Sequence, residues 1–84
     1  MIQAHIPPDA ILIVDKSLRP KNNSIVLAVV NGEFTVKFYV PEAEGCSLLP
    51  ANPKYKPIRV REGMDFSIWG VVTSVIIRTV KQGL

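Results

Sequence analysis

The chain has 84 residues, 48% of them hydrophobic and 20% charged, which suits one folded domain and excludes a disordered protein. One cysteine excludes an internal disulfide framework, and one histidine with one cysteine is too few for a structural zinc site. The net charge of +3 comes from ten Lys and Arg against seven acids. This excess is ordinary for a soluble protein and does not by itself indicate nucleic-acid binding.

Membrane insertion and export are not expected from the sequence. The longest mostly apolar stretch, residues 68–77, is interrupted by Gly70, Thr73 and Ser74 and falls short of the ~20 residues that a membrane helix needs. The first residues have neither the basic region nor the apolar region of a signal peptide. We therefore expect a cytoplasmic protein that has no contact with a membrane.

The first half of the chain predicts three strands. Residues 11–14 are a short β-branched run between turn-forming residues, and a loop follows them. Residues 24–30 and 33–40 flank Asn31-Gly32, a pair that supplies the two positive φ angles of a type I′ turn. The sequence therefore predicts a β-hairpin here.

Side chains on the second hairpin strand alternate between two faces. The apolar ones share one face, which we expect to pack on the core: Phe34, Val36, Phe38 and Val40. The opposite face carries Lys37 between Thr35 and Tyr39. A lysine in that position is most often a solvated strand residue.

After the hairpin the pattern remains that of strands. We expect Pro41 to close the hairpin, residues 42–45 to turn, and residues 47–49 to form a short strand. Three prolines prevent a regular ladder over residues 50–57, because a proline has no N–H to donate.

The last part of the chain predicts two more strands. They are residues 58–60 and a long β-branched run over residues 66–80, in which Gly70 indicates a bulge. No helix of more than about one turn is evident. We predict a mainly β fold of coiled antiparallel sheets around the central hairpin.

Few residues suggest a site by composition alone. His5 lies close to Pro7 and Pro8, so we expect it to be a loop residue. We expect Trp69, in an apolar strand, to be a core or interface residue. The aromatic residues are not interleaved with the basic ones, so the sequence does not support a stacking surface for single-stranded nucleic acid. We expect no metal and no cofactor. One loose basic cluster remains: Lys54, Lys56, Arg59 and Arg61.

Four sequence blocks, in this order, are characteristic of a known family. They are residues 11–15 (ILIVD), 31–37 (NGEFTVK), 49–58 (LPANPKYKPI) and 69–72 (WGVV). Together they resemble the C-terminal peptidase domain of the LexA/UmuD family, and its UmuD branch in particular. The resemblance runs from Met1 to about Arg78.

The resemblance implies a fold, an activity and partners. The fold is the LexA/signal-peptidase-like one, and the proteins are cytoplasmic factors of the SOS response to DNA damage. A RecA filament stimulates them to cut their own chain with a Ser-Lys dyad. The trimmed homodimer then joins a UmuC-type polymerase for error-prone translesion synthesis. Lys37 falls on the family's general-base lysine, and no direct specific DNA binding is implied.

One departure from the family pattern concerns the nucleophile. In the family it lies in a Gly-Asp-Ser-Met-Ile type motif, and this chain begins at Met1-Ile2, so the serine would precede Met1. None of the serines present lies in a matching motif. We therefore expect residues 1–84 to be a single partial peptidase domain that lacks its N-terminal part and does not cleave itself.

Three alternatives stay open. The chain is a catalytically dead dimerisation module, a fragment of a LexA-like repressor, or a small basic β-barrel that binds nucleic acid through the basic cluster.

Overall fold

The structure, a computed structural model, describes residues 9–77. These residues form one antiparallel sheet of six strands, in the spatial order β1-β6-β2-β3-β4-β5, and contain no helix. The strands are β1 (Ile11–Asp15), β2 (Ser24–Val30), β3 (Glu33–Glu42), β4 (Gly45–Leu49), β5 (Ile58–Val60) and β6 (Phe66–Ile76). The predicted mainly β class is confirmed. The strands form one open sheet, where the sequence analysis expected more than one sheet.

The central hairpin of β2 and β3 is confirmed. Its register runs from Ser24 opposite Tyr39 to Val30 opposite Glu33. Asn31 and Gly32 have φ angles of 51° and 84°, as a type I′ turn requires. The Asn31 N–H also donates to the carbonyl oxygen of Asp65 at 2.8 Å, which ties the turn to the start of β6.

Pro41 does not end the hairpin strand, so that prediction is wrong. β3 continues to Glu42, with Pro41 opposite Cys46 and Glu42 opposite Gly45 on β4. The pairing of β3 with β2 ends at Tyr39, so within residues 9–77 the part of β3 beyond Tyr39 has a neighbouring strand on one side only. A proline is tolerated on such an edge because its missing N–H does not have to complete a ladder.

The bulge that Gly70 predicts is present in β6. The register between β2 and β6 shifts between Leu27, opposite Gly70, and Ala28, opposite Ile68. Gly70 is also where β1 approaches most closely, because a Cβ atom there would overlap Val14 Cγ1. β6 ends at Ile76, and the last part of the predicted run, from residue 78, lies outside the described residues.

The core lies on the opposite face of β3 from the one predicted. Val26 and Ala28 on β2 are fully buried, and the register places them opposite Lys37 and Thr35. Directly opposed residues in an antiparallel pair point to the same face. The Lys37 side of the sheet is therefore the inner face, and Phe34, on the outer face, is 63% exposed.

The error has a physical cause. Both faces of β3 have apolar neighbours, and the alternation of one strand does not say which face other strands will cover. The inner face is covered because the sheet curls towards it. The buried core joins residues of β2, β4, β5 and β6, although three strands separate β5 from β6 in the sheet: Val26, Ala28, Cys46, Leu48, Val60 and Val71.

Candidate functional site

Lys37 lies in the middle of β3 on the inner face. It is half-buried and stands opposite the fully buried Val26. Its Nζ donates a hydrogen bond to Thr35 Oγ1 at 2.6 Å. Residues two apart on a strand share a face, so the strand itself brings the hydroxyl and the amine together. The amine is thereby held near the sheet instead of extending freely into solvent.

The chain next to Lys37 has an open backbone edge. β3 pairs with β2 along residues 33–39, whereas its pairing with β4 begins only at Phe38. Among the described residues, no strand therefore pairs with the β4-facing side of residues 33–37. Lys37 is at the boundary between the fully paired and half-paired parts of β3. A polypeptide segment arriving at that edge would meet the lysine amine at the rim of the core.

The described serines are engaged elsewhere or lie apart from Lys37. Ser17 donates to Asp15, and the buried Ser47 donates to Glu42 Oε2 at 2.8 Å. Ser24 accepts the N–H of Lys21. Within residues 9–77, the hydrogen bond of the Lys37 amine goes to Thr35 and to no serine. The described part of the chain thus holds a lysine amine positioned by Thr35, with no serine hydrogen-bonded to it.

An open concavity of about 1230 Å³ also lies on the inner face, and Lys37 does not line it. Tyr39, Cys46 and Phe66 are among its apolar lining residues. Burial and, secondarily, the negative charge of Glu42 raise the pKa of the Cys46 thiol, so it stays protonated at neutral pH. A protonated buried thiol is a poor nucleophile, so Cys46 does not make the concavity a candidate site for nucleophilic catalysis.

The basic cluster predicted from the sequence does not form a uniformly positive surface. Lys54 and Lys56 are exposed on the loop between β4 and β5. Arg59 and Arg61 line the concavity, but its rim also carries three acids: Glu42, Glu44 and Glu62. Opposite charges in one rim weaken the attraction for a polyanion. The sheet order also leaves β1 and β5 unpaired with each other, so the described residues do not close into the small barrel considered above.

His5 and Trp69 are the two remaining residues that the sequence analysis discussed as possible site residues. His5 lies outside the described residues. Trp69 is 42% exposed on the outer face of β6, where its ring meets Phe34 edge to face and Lys16 Nζ at 4.4 Å from the ring centroid. The sequence analysis missed this cluster because its members lie far apart in the chain.

The described residues provide neither a metal-binding cluster nor a membrane-spanning helix. Residues 9–77 hold no group of three or more His, Cys, Asp or Glu side chains placed to bind a metal ion. The same residues include no helix of the length and apolar character needed to cross a membrane.

Comparison with known proteins identifies a family over most of the chain. Residues 1–73 match the family described as Peptidase S24-like. The chain is 35% identical over 78 residues to a LexA repressor of Desulfatibacillum aliphaticivorans, which covers 90% of the chain and 38% of that protein. It is 37% identical over 76 residues to a LexA repressor of Citrifermentans bemidjiense, with 89% of the chain and 38% of the relative covered.

A third relative agrees with these two. It is LexA repressor 1 of Xanthomonas campestris pv. campestris, 41% identical over 63 residues, which cover 75% of the chain and 31% of the relative. The chain thus spans less than two fifths of the length of the curated relatives described here.

Proposed function

The chain belongs to the Peptidase S24-like family, and we propose that it carries the general-base half of a Ser-Lys dyad in a self-cleaving, cytoplasmic regulator of the SOS response. The observation that supports this most is the placement of Lys37. The Lys37 side chain is half-buried, its amine is hydrogen-bonded to Thr35 at 2.6 Å, and the residue lies next to the open edge of β3. A lysine solvated at a strand surface would need none of these features.

The proposed chemistry needs only groups of the polypeptide. The neutral amine of Lys37 takes the proton of a serine hydroxyl from a segment that lies outside residues 1–84. The serine oxygen then attacks the scissile carbonyl carbon. When the tetrahedral intermediate collapses, the C–N bond breaks and the Lys37 ammonium returns its proton to the leaving amine. Water then hydrolyses the ester, with the same amine as base.

We further propose the partners of the UmuD branch for this chain. They are a RecA filament that stimulates cleavage, a second copy in a homodimer, and a UmuC-type polymerase after cleavage. The resemblance of the four sequence blocks, taken together, to the UmuD branch supports this choice. The relatives named as LexA repressors support the alternative of a repressor. Co-purification with a UmuC-type polymerase would favour the UmuD-type function. Specific retardation of operator DNA in a gel would favour the repressor function.

The test of Lys37 uses the longest in-frame polypeptide that contains these 84 residues. We expect it to cleave itself in the presence of an activated RecA filament, and gel electrophoresis would measure the rate. Lys37→Ala should abolish cleavage, because the proposed dyad then has no amine to accept the serine proton. Lys37→Arg should not restore it, since a guanidinium stays protonated.

The matched control is Lys21→Ala, which removes an exposed lysine from the loop between β1 and β2. It should leave the cleavage rate unchanged. Normal cleavage by Lys37→Ala would remove this residue from the mechanism. Absence of cleavage by the parent polypeptide in the presence of the filament would contradict the proposed activity as a whole.

A second candidate function is dimerisation without catalysis, and the edge of the sheet favours it. β1 is an edge strand whose run ILIV carries no charge, and Ile11 and Ile13 are about half exposed. The other edge strand, β5, has only three residues and presents the charged Arg59. Short and charged edges resist pairing, whereas a longer apolar edge promotes it. We therefore propose β1 as the edge through which a second copy would bind.

A further inference from the structure

The outer face of the sheet carries an exposed group of two aromatic rings and a cation, which we call the aromatic patch: Lys16, Phe34 and Trp69. The Phe34 and Trp69 rings meet edge to face, with centroids 6.4 Å apart and planes at 83°. Lys16 Nζ lies 4.4 Å from the centroid of the Trp69 ring. Phe34 is the more exposed of the two rings, at 63%. A phenyl ring left this open on a folded sheet is available to an external partner.

The chain path adds positive charge beside the aromatic patch. β6 lies between β1 and β2 in the sheet, so the loop from residue 16 to residue 23 must cross β6. Its contact through Lys16 with Trp69 shows that the crossing begins on the outer face. The loop contains Lys16, Arg19 and Lys21, all exposed, and no acidic residue.

Exposed rings next to several cations and no acid in the crossing loop suit a polyanion that also carries flat apolar groups. Single-stranded nucleic acid has both features: its bases stack on aromatic side chains, and its phosphates pair with lysine and arginine. An acidic peptide would satisfy the cations but has no general need for an open ring face. We propose that the aromatic patch and the adjoining loop bind single-stranded nucleic acid without sequence preference.

In this arrangement the roles of the three residues differ. One face of Trp69 already holds the Lys16 ammonium, so the open ring of Phe34 is the stacking platform. Lys16 then lies beside the stacked base, where the phosphate that follows it can reach the ammonium. The aromatic patch and Lys37 lie on opposite faces of β3, so this site and the proposed peptidase site are physically separate.

The experiment measures binding of the chain to a fluorescein-labelled dT20 oligonucleotide by anisotropy at several salt concentrations. We expect a dissociation constant of about 1–100 μM that rises with salt, as is typical of nonspecific binding. The chain has one tryptophan, so quenching of its fluorescence on addition of unlabelled dT20 would report on the aromatic patch directly. A duplex of the same length should bind more weakly, because its bases are already stacked.

Three variants locate the site. Phe34→Leu keeps an apolar side chain without a ring and should weaken binding at least about fivefold, the lower range for loss of one base stack. Phe34→Tyr keeps the ring and should bind like the parent chain. Lys16→Ala should reduce the slope of log affinity against log salt by about 0.7, the value for one phosphate contact on a single strand.

Several outcomes would overturn the proposal. These are the absence of binding at low salt, equal binding of the duplex, or parent-like binding by Phe34→Leu. A loss confined to the double variant Lys54→Ala/Lys56→Ala would place the site on the other loop. Equal competition by poly-glutamate would show that the surface takes an acidic polymer and not a stacked strand. The cleavage assay of Lys37 is independent of all these results.

Discussion

At the scale of single residues, the most informative contact is the one between Lys37 and Thr35. In the proposed reaction Thr35 would act through the lysine, as a positioning residue. Its hydroxyl limits the directions in which a long flexible side chain can extend, and it accepts one of the protons on Nζ. In the proposed reaction this contact would orient the amine before any reacting group arrives and so lower the ordering cost of proton transfer.

Thr35→Val should therefore slow self-cleavage of the longer polypeptide without abolishing it. We expect a loss of roughly tenfold, which corresponds to about 1.5 kcal/mol for a hydrogen bond to a charged or potentially charged group. The isosteric change keeps the packing next to Ala28. Thr35→Ser keeps the hydroxyl and should restore most of the rate. If valine and serine variants cleave equally well, the hydroxyl does not position the lysine.

A second contact at this scale stabilises the end of β1. Asp15 Oδ1 accepts the side-chain hydroxyl of Ser17 at 2.6 Å and its backbone N–H at 2.8 Å. These donors, the hydroxyl first, lower the pKa of the Asp15 carboxyl from its ordinary value of 3.8. Lys16 lies inside this turn, so the turn helps to present the cation of the aromatic patch.

The lowered pKa of Asp15 predicts how the stability of the fold changes at acid pH. A carboxyl whose pKa is lower in the folded state stabilises the fold above the pKa of the unfolded chain, and this contribution disappears as the pH falls through the folded value. Ser17→Ala should raise the pKa of Asp15 towards 3.8, although the backbone N–H at position 17 remains as a donor. Carboxyl ¹³C shifts measured against pH would show this. Ser67→Ala, an exposed change on β6, should leave the Asp15 titration unaltered.

At the scale of elements, the sequence located all six strands, and turn chemistry explains much of this success. Asn31-Gly32 permits only a narrow set of backbone angles, so the hairpin follows from two residues. The prediction at Pro41 was wrong because a proline ends a strand only where a backbone N–H is needed for pairing. That requirement depends on whether a third strand lies alongside, and the local sequence does not contain this information.

Gly70 is the element-scale feature with the clearest energetic consequence. An added Cβ would overlap Val14 Cγ1 and lie 3.2 Å from the carbonyl oxygen of Asp15. Gly70→Ala should lower the free energy of unfolding by about 1–3 kcal/mol, as overpacking does, measured by urea unfolding with Trp69 fluorescence. Part of the loss should be recovered in the background Val14→Ala, because the two positions are in contact.

Gly32→Ala is the matched control for this prediction. No atom lies within 4 Å of the Cβ it would add, so only its φ of +84° opposes the change. We expect a loss of about 1 kcal/mol from backbone conformation alone, unaffected by Val14→Ala. A Gly70→Ala variant as stable as the parent chain would mean that β1 does not approach β6 this closely.

At the scale of the whole molecule, an open sheet of six strands has two faces and two edges to protect. The inner face buries the core, whereas the outer face exposes Phe34 and Trp69. Of the two edges, β1 is the apolar one. Thr73, opposite the register shift in β1, donates its hydroxyl to the Ile13 carbonyl oxygen at 3.2 Å and so holds β1 against β6. No strand of the described residues pairs with the outer edge of β1.

This arrangement predicts concentration-dependent self-association that depends on β1. Ile13→Lys introduces a charge on the edge strand and should weaken association about tenfold or more, as seen by sedimentation velocity over a range of concentrations. Leu18→Lys is the matched control, since Leu18 is 47% exposed against 45% for Ile13 but lies in the loop after β1. An equal effect of both variants would argue for nonspecific hydrophobic contact, and no effect of Ile13→Lys would exclude β1 as the interface.

The sequence by itself determined the β class, the six strand positions, the type I′ turn, the Gly70 bulge and the family. These features depend on residues close together in the chain or on long characteristic motifs. Only the tertiary structure decided which face of β3 is buried, because covering a face requires β2, β6 and the curl of the sheet. The same holds for the aromatic patch. Its rings stand 35 positions apart in the chain and meet only because β2 brings β3 and β6 to its two sides.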